Sequence, residues 1–567
     1  MTIQSMKQTK FPKRTYEEWQ ISAQKAIGGK SVDAALKTQT IEGITLEPLY
    51  TKEMFDKLGG LAAFQQEAFR TGKKGAGWLI AQEVLADSPE DFLAKTKEDL
   101  SKGNDMVVYT SSDEFDWTDS TLRQLAELLV KHPFYFKVAS EDTGILRVFD
   151  FIDEKHKKML KGVIISEAQA AAPGNVRTKL VDTIPVHHAG GTIIHELGVA
   201  LSILAETIRD GEYKETAEQT WIRFAVDTQF FQEIAKLRAF RVLWRAFSEA
   251  YGEQAVSIPV YTETSVRSYS KLDPYVNLLR AGNATFAAVL GGTDAHTVHP
   301  HDFLTVSQPS SRRIARNVQL VIKEESHVSR VMDASAGSYF IEQLTAEYVE
   351  AAWNYFLEIE EAGGYSAVIR TGWLTDDIQA KWIERKKLAA ERKISLIGTN
   401  VYANPQEAVK DQAIDSGHLE YITAKRLATP FEKLRARSRE LELKVAILHL
   451  GPLKDVKAKS DFVEGLLAVG GIEPEISPEL DDAESLNRYL HEHHIDYAVL
   501  CGSAEKLDAI IPGIESSAVL DVAGRFDAHQ MKAWKAGAIA DAVYSGQNIV
   551  SKLEQILNVG KKVIPND

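Results

Sequence analysis

The 567-residue chain contains one cysteine, Cys501, so no disulfide can form within it and nothing points to an oxidising compartment. It has no run of about 18 apolar residues, the length a membrane-crossing helix requires. Residues 1–14 mix Gln, Lys and Ser without a stretch resembling a signal peptide, and a cytoplasmic location is the expectation. Positive charge is in short supply: 66 Lys and Arg stand against 80 Asp and Glu, a formal net charge of −14. A field of that sign repels nucleic acid and anionic lipid unless a basic face is set apart from it. The basic run 385–393 is interleaved with Glu and Ala and reads as solvated helix surface, so neither nucleic acid nor membrane is expected as a partner. Internal repeats, low-complexity tracts and the spacings of phosphate-binding glycine loops are also missing; Gly291-Gly292 and Gly470-Gly471 read as turns.

What is present is an ordinary globular balance, 44% apolar and 26% charged, in a chain about twice as long as a single core supports. Residues 1–40 are polar, with one short helical stretch, and read as an arm that needs something else to pack against. Over 41–400, helix-period segments alternate with β-rich runs, among them 106–110, 134–138, 147–152, 162–166, 180–186 and 257–262. That alternation predicts parallel strands with crossover helices, most simply a (β/α)8 TIM barrel. After Pro309-Ser310-Ser311, the stripe Ile314, Val318, Val321 and Ile322 predicts a helix with that face on the core and Arg313, Arg316 and Lys323 outside. Thr345 is placed to cap a helix that buries Tyr348, Ala352, Phe356 and Ile359 and stops at Gly363-Gly364. Residues 401–442 read as a helical linker. Over 443–567, five apolar runs (445–450, 473–476, 497–501, 518–522 and 540–544) alternate with helical patterns, predicting a flavodoxin-like doubly wound domain.

Three stretches are more specific. They are Gly291-Gly292-Thr293-Asp294-Ala295-His296-Thr297, then Arg313-Ile314-Ala315-Arg316-Asn317 with Glu324-Glu325-Ser326, then Val331-Met332-Asp333-Ala334-Ser335-Ala336-Gly337-Ser338-Tyr339. In order and spacing they resemble the acyl-CoA mutase family that includes methylmalonyl-CoA mutase. His188-Ala189-Gly190-Gly191-Thr192 with Glu196-Leu197, and the openings Tyr16-Glu17-Glu18-Trp19 and Ile41-Glu42-Gly43-Ile44, resemble it too. The resemblance implies a barrel followed by a cobalamin-binding-type domain. It also implies a radical rearrangement between methylmalonyl-CoA and succinyl-CoA that uses adenosylcobalamin.

Set against that pattern, residues are missing. Catalytic members carry a Tyr-His pair just before the EAGAT stretch; aligned on Ala189-Gly190, those positions hold Ile184 and Pro185, neither a side-chain donor. A slipped alignment would bring in His187 or His188, which the matches through Thr192 and Glu196-Leu197 argue against. Cobalamin-binding members carry Asp-x-His-x-x-Gly after the first strand of the second domain. Here Leu453 stands for the Asp and Asp455 for the cobalt-ligating His, while His449 falls inside the strand. Gly502-Ser503 and Ala523-Gly524 are approximate counterparts of the later elements. The Arg- and Tyr-rich clamp at the barrel entry is missing between Tyr50-Thr51 and Leu61-Ala62. The resemblance with these gaps implies a small, non-catalytic subunit of a heterodimer, whose large partner subunit holds adenosylcobalamin; no catalytic, cofactor or metal residues are expected on this chain.

Two alternatives stay open: an acyl-CoA mutase with a relocated site, and a barrel hydrolase with a metal on His296, His299 and His301. Against the metal, no carboxylate at ligand spacing accompanies these histidines besides Asp302. His491, His493 and His494 read as the surface end of a charged helix, and adjacent Glu324 and Glu325 do not face each other as an acid–base pair would.

Overall fold

The computed structural model describes residues 12, 14–111, 115–139, 142–166, 172–173, 175–209, 211–305, 308–409 and 423–562. Its first domain is a ring of eight parallel strands met in chain order: β1 Leu79–Ile80, β2 Val107–Thr110, β3 Phe134–Val138, β4 Gly162–Ser166, β5 Lys179–Asp182, β6 Thr220–Val226, β7 Val260–Thr264 and β8 Ala295–Thr297. Pairing runs β2–β3–β4, then through Val176–Arg177 into β5, then β5–β6–β7–β8. Leu79 opposite Ala295 joins β8 to β1, and a parallel bridge between Glu83 and Val108 ties β1 to β2. This is the (β/α)8 order that the alternation predicts.

Two expected strands differ. Residues 147–151 lie in a 3-10 helix, Thr143–Phe151, whose Ile145, Val148 and Phe149 are buried at helical rather than alternating spacing, and Ile152 is its extended C-cap. The run 180–186 ends as strand at Asp182, whose carboxylate accepts from the Ile184 N–H (3.0 Å), and Ile184–His188 is a short helix. Pro185, with no N–H to give a sheet, sits in that helix's first turn, where none is needed.

The core lies between strands and long helices: α1 Ile193–Arg209, α2 Phe230–Ala250, α3 Val276–Leu290, α4 Pro309–Glu325, α5 Tyr339–Glu361 and α6 Trp373–Ala390. Leu197, Leu201, Phe224, Phe240, Leu344 and Tyr348 are among its fully buried members. Helix α5 buries Tyr348, Ala352, Phe356 and Ile359 as expected, but Ser338, not Thr345, caps it; Thr345 lies inside the helix, bonded to the Ile341 carbonyl.

Helix α4 reverses its expected orientation. Ser311, Ala315, Arg316 and Gln319 face inward, while Val321 is 52% exposed and Ile314, Val318 and Ile322 are half-buried. The polar face is inside because partners wait there. Arg316 and Arg312 pair with buried Asp99, and Gln319 donates to the His296 carbonyl (3.0 Å) and accepts from Trp78 Nε1 (3.0 Å).

The second domain is a parallel sheet of β9 Val445–Leu450, β10 Glu475–Glu479, β11 Tyr497–Gly502, β12 Val519–Ala523 and β13 Ile539–Val543, in the order β10-β9-β11-β12-β13. That is the flavodoxin-like winding. Between the domains runs a helix, Thr429–Arg439; residues 410–422 of the expected linker, and 1–11 and 13 of the expected arm, lie outside the described residues. The arm's helix, Tyr16–Ala26, is closed by a Thr15–Glu18 capping box and has no buried residue.

Candidate functional site

Barrels place their chemistry at the carboxyl ends of the strands, so the axis and its mouth come first. Every strand sends apolar bulk inward. Tyr135 and Tyr261 stack 5.0 Å apart across the ring, Trp221 lies 6.4 Å from Tyr261, and Val108, Val163 and Ala295 fill the gaps. Above this layer Arg223 reaches Glu263 through Nε (3.1 Å) and Nη2 (2.5 Å) and Asp182 through Nη1 (3.2 Å). Burial pushes the Glu263 carboxyl up, but Arg223 and then His299 outweigh it and hold it well below the usual range. Side chains thus fill the barrel along its axis and close its mouth.

Beside this mouth, Ile184 is buried and Pro185 is exposed, and neither offers a side-chain donor. His187, the candidate that a slipped alignment would bring in, has both ring nitrogens engaged, Nδ1 with Glu196 Oε1 (2.9 Å) and Nε2 with Ser265 Oγ (2.7 Å). Burial, then the Arg267 charge, hold its pKa well below the ordinary value, so it is neutral. His188 is buried with its ring 6.1 Å from that of His187.

The three remaining candidate histidines do not converge. His296 is fully buried between Thr262 Oγ1 (2.7 Å) and Thr285 Oγ1 (3.2 Å), and burial, then His299, take its pKa to about 3. His299 packs on Phe303, with Nε2 3.6 Å from Glu263, while His301 stacks on Tyr275. Asp302 accepts from Ser311 Oγ (2.6 Å) at the start of α4. Among the described residues no three His, Cys, Asp or Glu come together as metal ligands.

One cluster was not legible as a site. Lys236, fully buried on α2, bonds the Ala225 carbonyl (2.5 Å), Glu233 (2.6 Å) and Glu196 (3.3 Å). Burial outweighs Lys236 and lifts Glu233 to about 7. Arg385, expected on a solvated surface, is only 8% exposed and lies beside this cluster. The signal was a spacing: Leu374, Ile378, Trp382, Arg385 and Ala389 form one helical stripe, and all five are buried.

Residues 157–457 match the methylmalonyl-CoA mutase family. The chain is 30% identical to the methylmalonyl-CoA mutase small subunit of Streptomyces virginiae over 91% of its length and 93% of that protein's. It is 32% identical to a probable methylmalonyl-CoA mutase small subunit of Mycobacterium tuberculosis over 84% of each chain, and 33% identical to a methylmalonyl-CoA mutase of Rhizobium meliloti over 76% of this chain and 70% of that one. The chain belongs to the methylmalonyl-CoA mutase family.

The family's motifs act here as fasteners of the barrel. Asp294 accepts from Arg241 Nη2 (2.6 Å) and the Val260 N–H (2.8 Å), locking β8 to α2 and β7. Gly292 has φ +88°, and a Cβ there would strike the Phe69 ring. Asp333 pairs with buried Arg238, which also reaches Glu342 (3.1 Å).

The mutase family implies cobalamin in the working complex, so the end of β9 is where a cobalt ligand is sought. Helix Leu453–Val469 starts three residues past the strand, with Leu453 57% exposed and Asp455 in the first turn. His449 is 6% exposed in β9, its Nε2 2.9 Å from Ser460 Oγ, and burial lowers its pKa. Ser503 caps the helix after β11, and Lys459 covers that strand's end by donating to the Gly502 carbonyl (2.5 Å). A helical carboxylate, an outward leucine and a strand-bound imidazole do not fit the corrin and its axial ligand.

Proposed function

We propose that the chain is the small, non-catalytic subunit of a heterodimeric, cytoplasmic, adenosylcobalamin-dependent methylmalonyl-CoA mutase. On this reading the large partner subunit holds the cofactor and interconverts methylmalonyl-CoA and succinyl-CoA, and the chain itself is inactive. The observation that carries the reading is the barrel mouth: Tyr135, Trp221 and Tyr261 fill the axis, the Arg223–Glu263 pair caps it, and Ile184 and Pro185 stand where donors are required.

Two surfaces support a permanent partner. Helix Tyr16–Ala26 buries none of its residues and leaves Ile21 69% exposed. On the opposite kind of surface, a folded one, α3 and α4 present a continuous apolar groove of Phe286, Ile314, Val318, Val321 and Ile322. An apolar stripe turned outward costs stability unless something covers it.

The test titrates adenosylcobalamin against the purified chain by visible spectroscopy, first alone and then with a catalytic large subunit. Cobalamin is expected to stay free until the large subunit is added, after which mutase activity tracks a one-to-one complex. Cobalamin uptake and isomerisation by the lone chain would overturn the proposal.

A further inference from the structure

A cavity of about 330 Å³ lies at the barrel's carboxyl end, walled by residues 38–42 of a short hairpin in which Thr38–Gln39 pairs with Thr45–Leu46, by Ile193 and Glu196 of α1, by Asp227 after β6, by Glu233 of α2, by Arg267 after β7, and by Arg385 of α6. Most of its charges already have partners. Asp227 accepts from Ser268 Oγ (2.6 Å) and the Thr228 N–H (2.8 Å), and Glu196 and Glu233 share Lys236. Arg267 spends Nη2 on the His187 (2.7 Å) and Gly191 (2.8 Å) carbonyls.

Two groups are left over. Arg385, more than nine-tenths buried, makes no hydrogen bond or ion pair among the described residues, and its Nε is fully enclosed. Glu42, on the turn closed by Gly43 at φ +87°, has an enclosed Oε2 with no partner, and nothing among the described residues bonds its other oxygen. Arg267, which also lines the cavity, keeps its Nε enclosed and turned away from solvent. Arg385 and Glu42 attract each other without touching. Burial, then the Arg267 charge, lower the Arg385 pKa to about 10, so it is charged at neutral pH. Leaving a buried guanidinium and a half-buried carboxylate without hydrogen-bond partners is costly, and each end demands a complement.

The complement must carry both signs. A plain anion set on Arg385 would face Glu42 and Glu233, and a plain cation set on Glu42 would face Arg385 and Arg267. We propose that this cavity is a binding site for a small zwitterion of the amino-acid class, its carboxylate on Arg385 and its ammonium on Glu42. The volume is within the range of small-molecule sites. The proposal does not depend on where the mutase chemistry resides.

The test is calorimetric titration of the full-length chain, alone and in complex with a large subunit, with glycine, L-alanine and L-glutamate. N-acetyl-L-alanine, which lacks the ammonium, and L-alaninamide, which lacks the carboxylate, serve as half-matched probes. At least one free amino acid is expected to saturate the site, and both half-matched probes to bind about tenfold more weakly or worse, the usual loss for a missing charged hydrogen bond. Arg385→Gln and Glu42→Gln should each weaken the amino acid by a similar factor. Glu42 lies on a surface turn, so Glu42→Gln keeps the test valid if Arg385→Gln fails to fold. If no free amino acid saturates, or if the half-matched probes or Glu42→Gln bind equally well, the cavity holds only water and the proposal falls.

Discussion

The barrel and the C-terminal sheet both present strand ends of the kind where α/β folds take up ligands, and they close them by opposite means. The barrel closes by bulk and charge: stacked Tyr135 and Tyr261 along the axis, and Arg223 held by Glu263 and Asp182 above them. The sheet closes by brevity, because a helix begins three residues after β9 and leaves no loop to present a ligand. A filled mouth is part of the core and contributes to stability. A missing loop contributes nothing, so the two closures should answer very differently to mutation.

The largest effect is expected in the barrel. Tyr261→Ala removes a fully buried stacked ring and should cost about 3–5 kcal/mol in urea denaturation, by the general cost of large-to-small core changes. Leu453→Ala at the end of the sheet, 57% exposed, should stay within about 0.5 kcal/mol. Comparable losses at both positions would erase the distinction.

Acid sharpens it next. His296 is held to about 3 in the folded chain, whereas a free histidine titrates near 6.5. The unfolded chain therefore binds a proton that the folded chain refuses throughout that window. Stability is intact above about pH 6.5 and falls on acidification towards pH 3, by up to about 1.4 kcal/mol per pH unit per such histidine. His187, held low in the same way, adds to the slope with the same sign. His296→Asn should flatten the profile between pH 4 and 6.5 relative to the native chain; an unchanged slope would contradict a neutral His296.

Smaller effects on the lone chain follow from surface changes. Val321→Asp should leave its denaturation within about 0.5 kcal/mol yet abolish co-elution with the large subunit, whereas an intact complex would show that α4's outer face is not covered. Asp455→His should do least of all, with no change in the adenosylcobalamin spectrum. An axial-ligand shift on mixing would mean that the end of β9 can present an imidazole after all.

The fold was legible because its strands are short, evenly spaced apolar runs, and ring order follows chain order. The misread elements failed for local reasons: Pro185 turns 180–186 into strand plus helix, and 147–151 continue a 3-10 helix whose buried residues recur at helical spacing. Helix α4 was harder. Hydrophobicity alone pointed its apolar stripe inward, but Asp99 and the His296 carbonyl, distant in sequence, draw the polar face inside. At the mouths, Ile184, Pro185, Leu453 and Asp455 could be named from the chain because a wrong residue type shows without coordinates. Arg385 was missed for the converse reason: a charged residue in a charged run reads as surface, and only its place on the stripe with Leu374, Ile378, Trp382 and Ala389 marks it as interior.

Helix α6 has a consequence for how the molecule bears load. Arg385 borders the cavity at the barrel's carboxyl end, while Trp382 and Ala389 on the same helix join Ile447, Leu467 and Val499 in the core of the second domain. Domains joined by a linker alone swing freely, but a helix embedded in both cores is a beam common to two rooms. It cannot tilt for one domain without shearing the packing of the other, so heat or strain that loosens either end of α6 is felt at once across the joint.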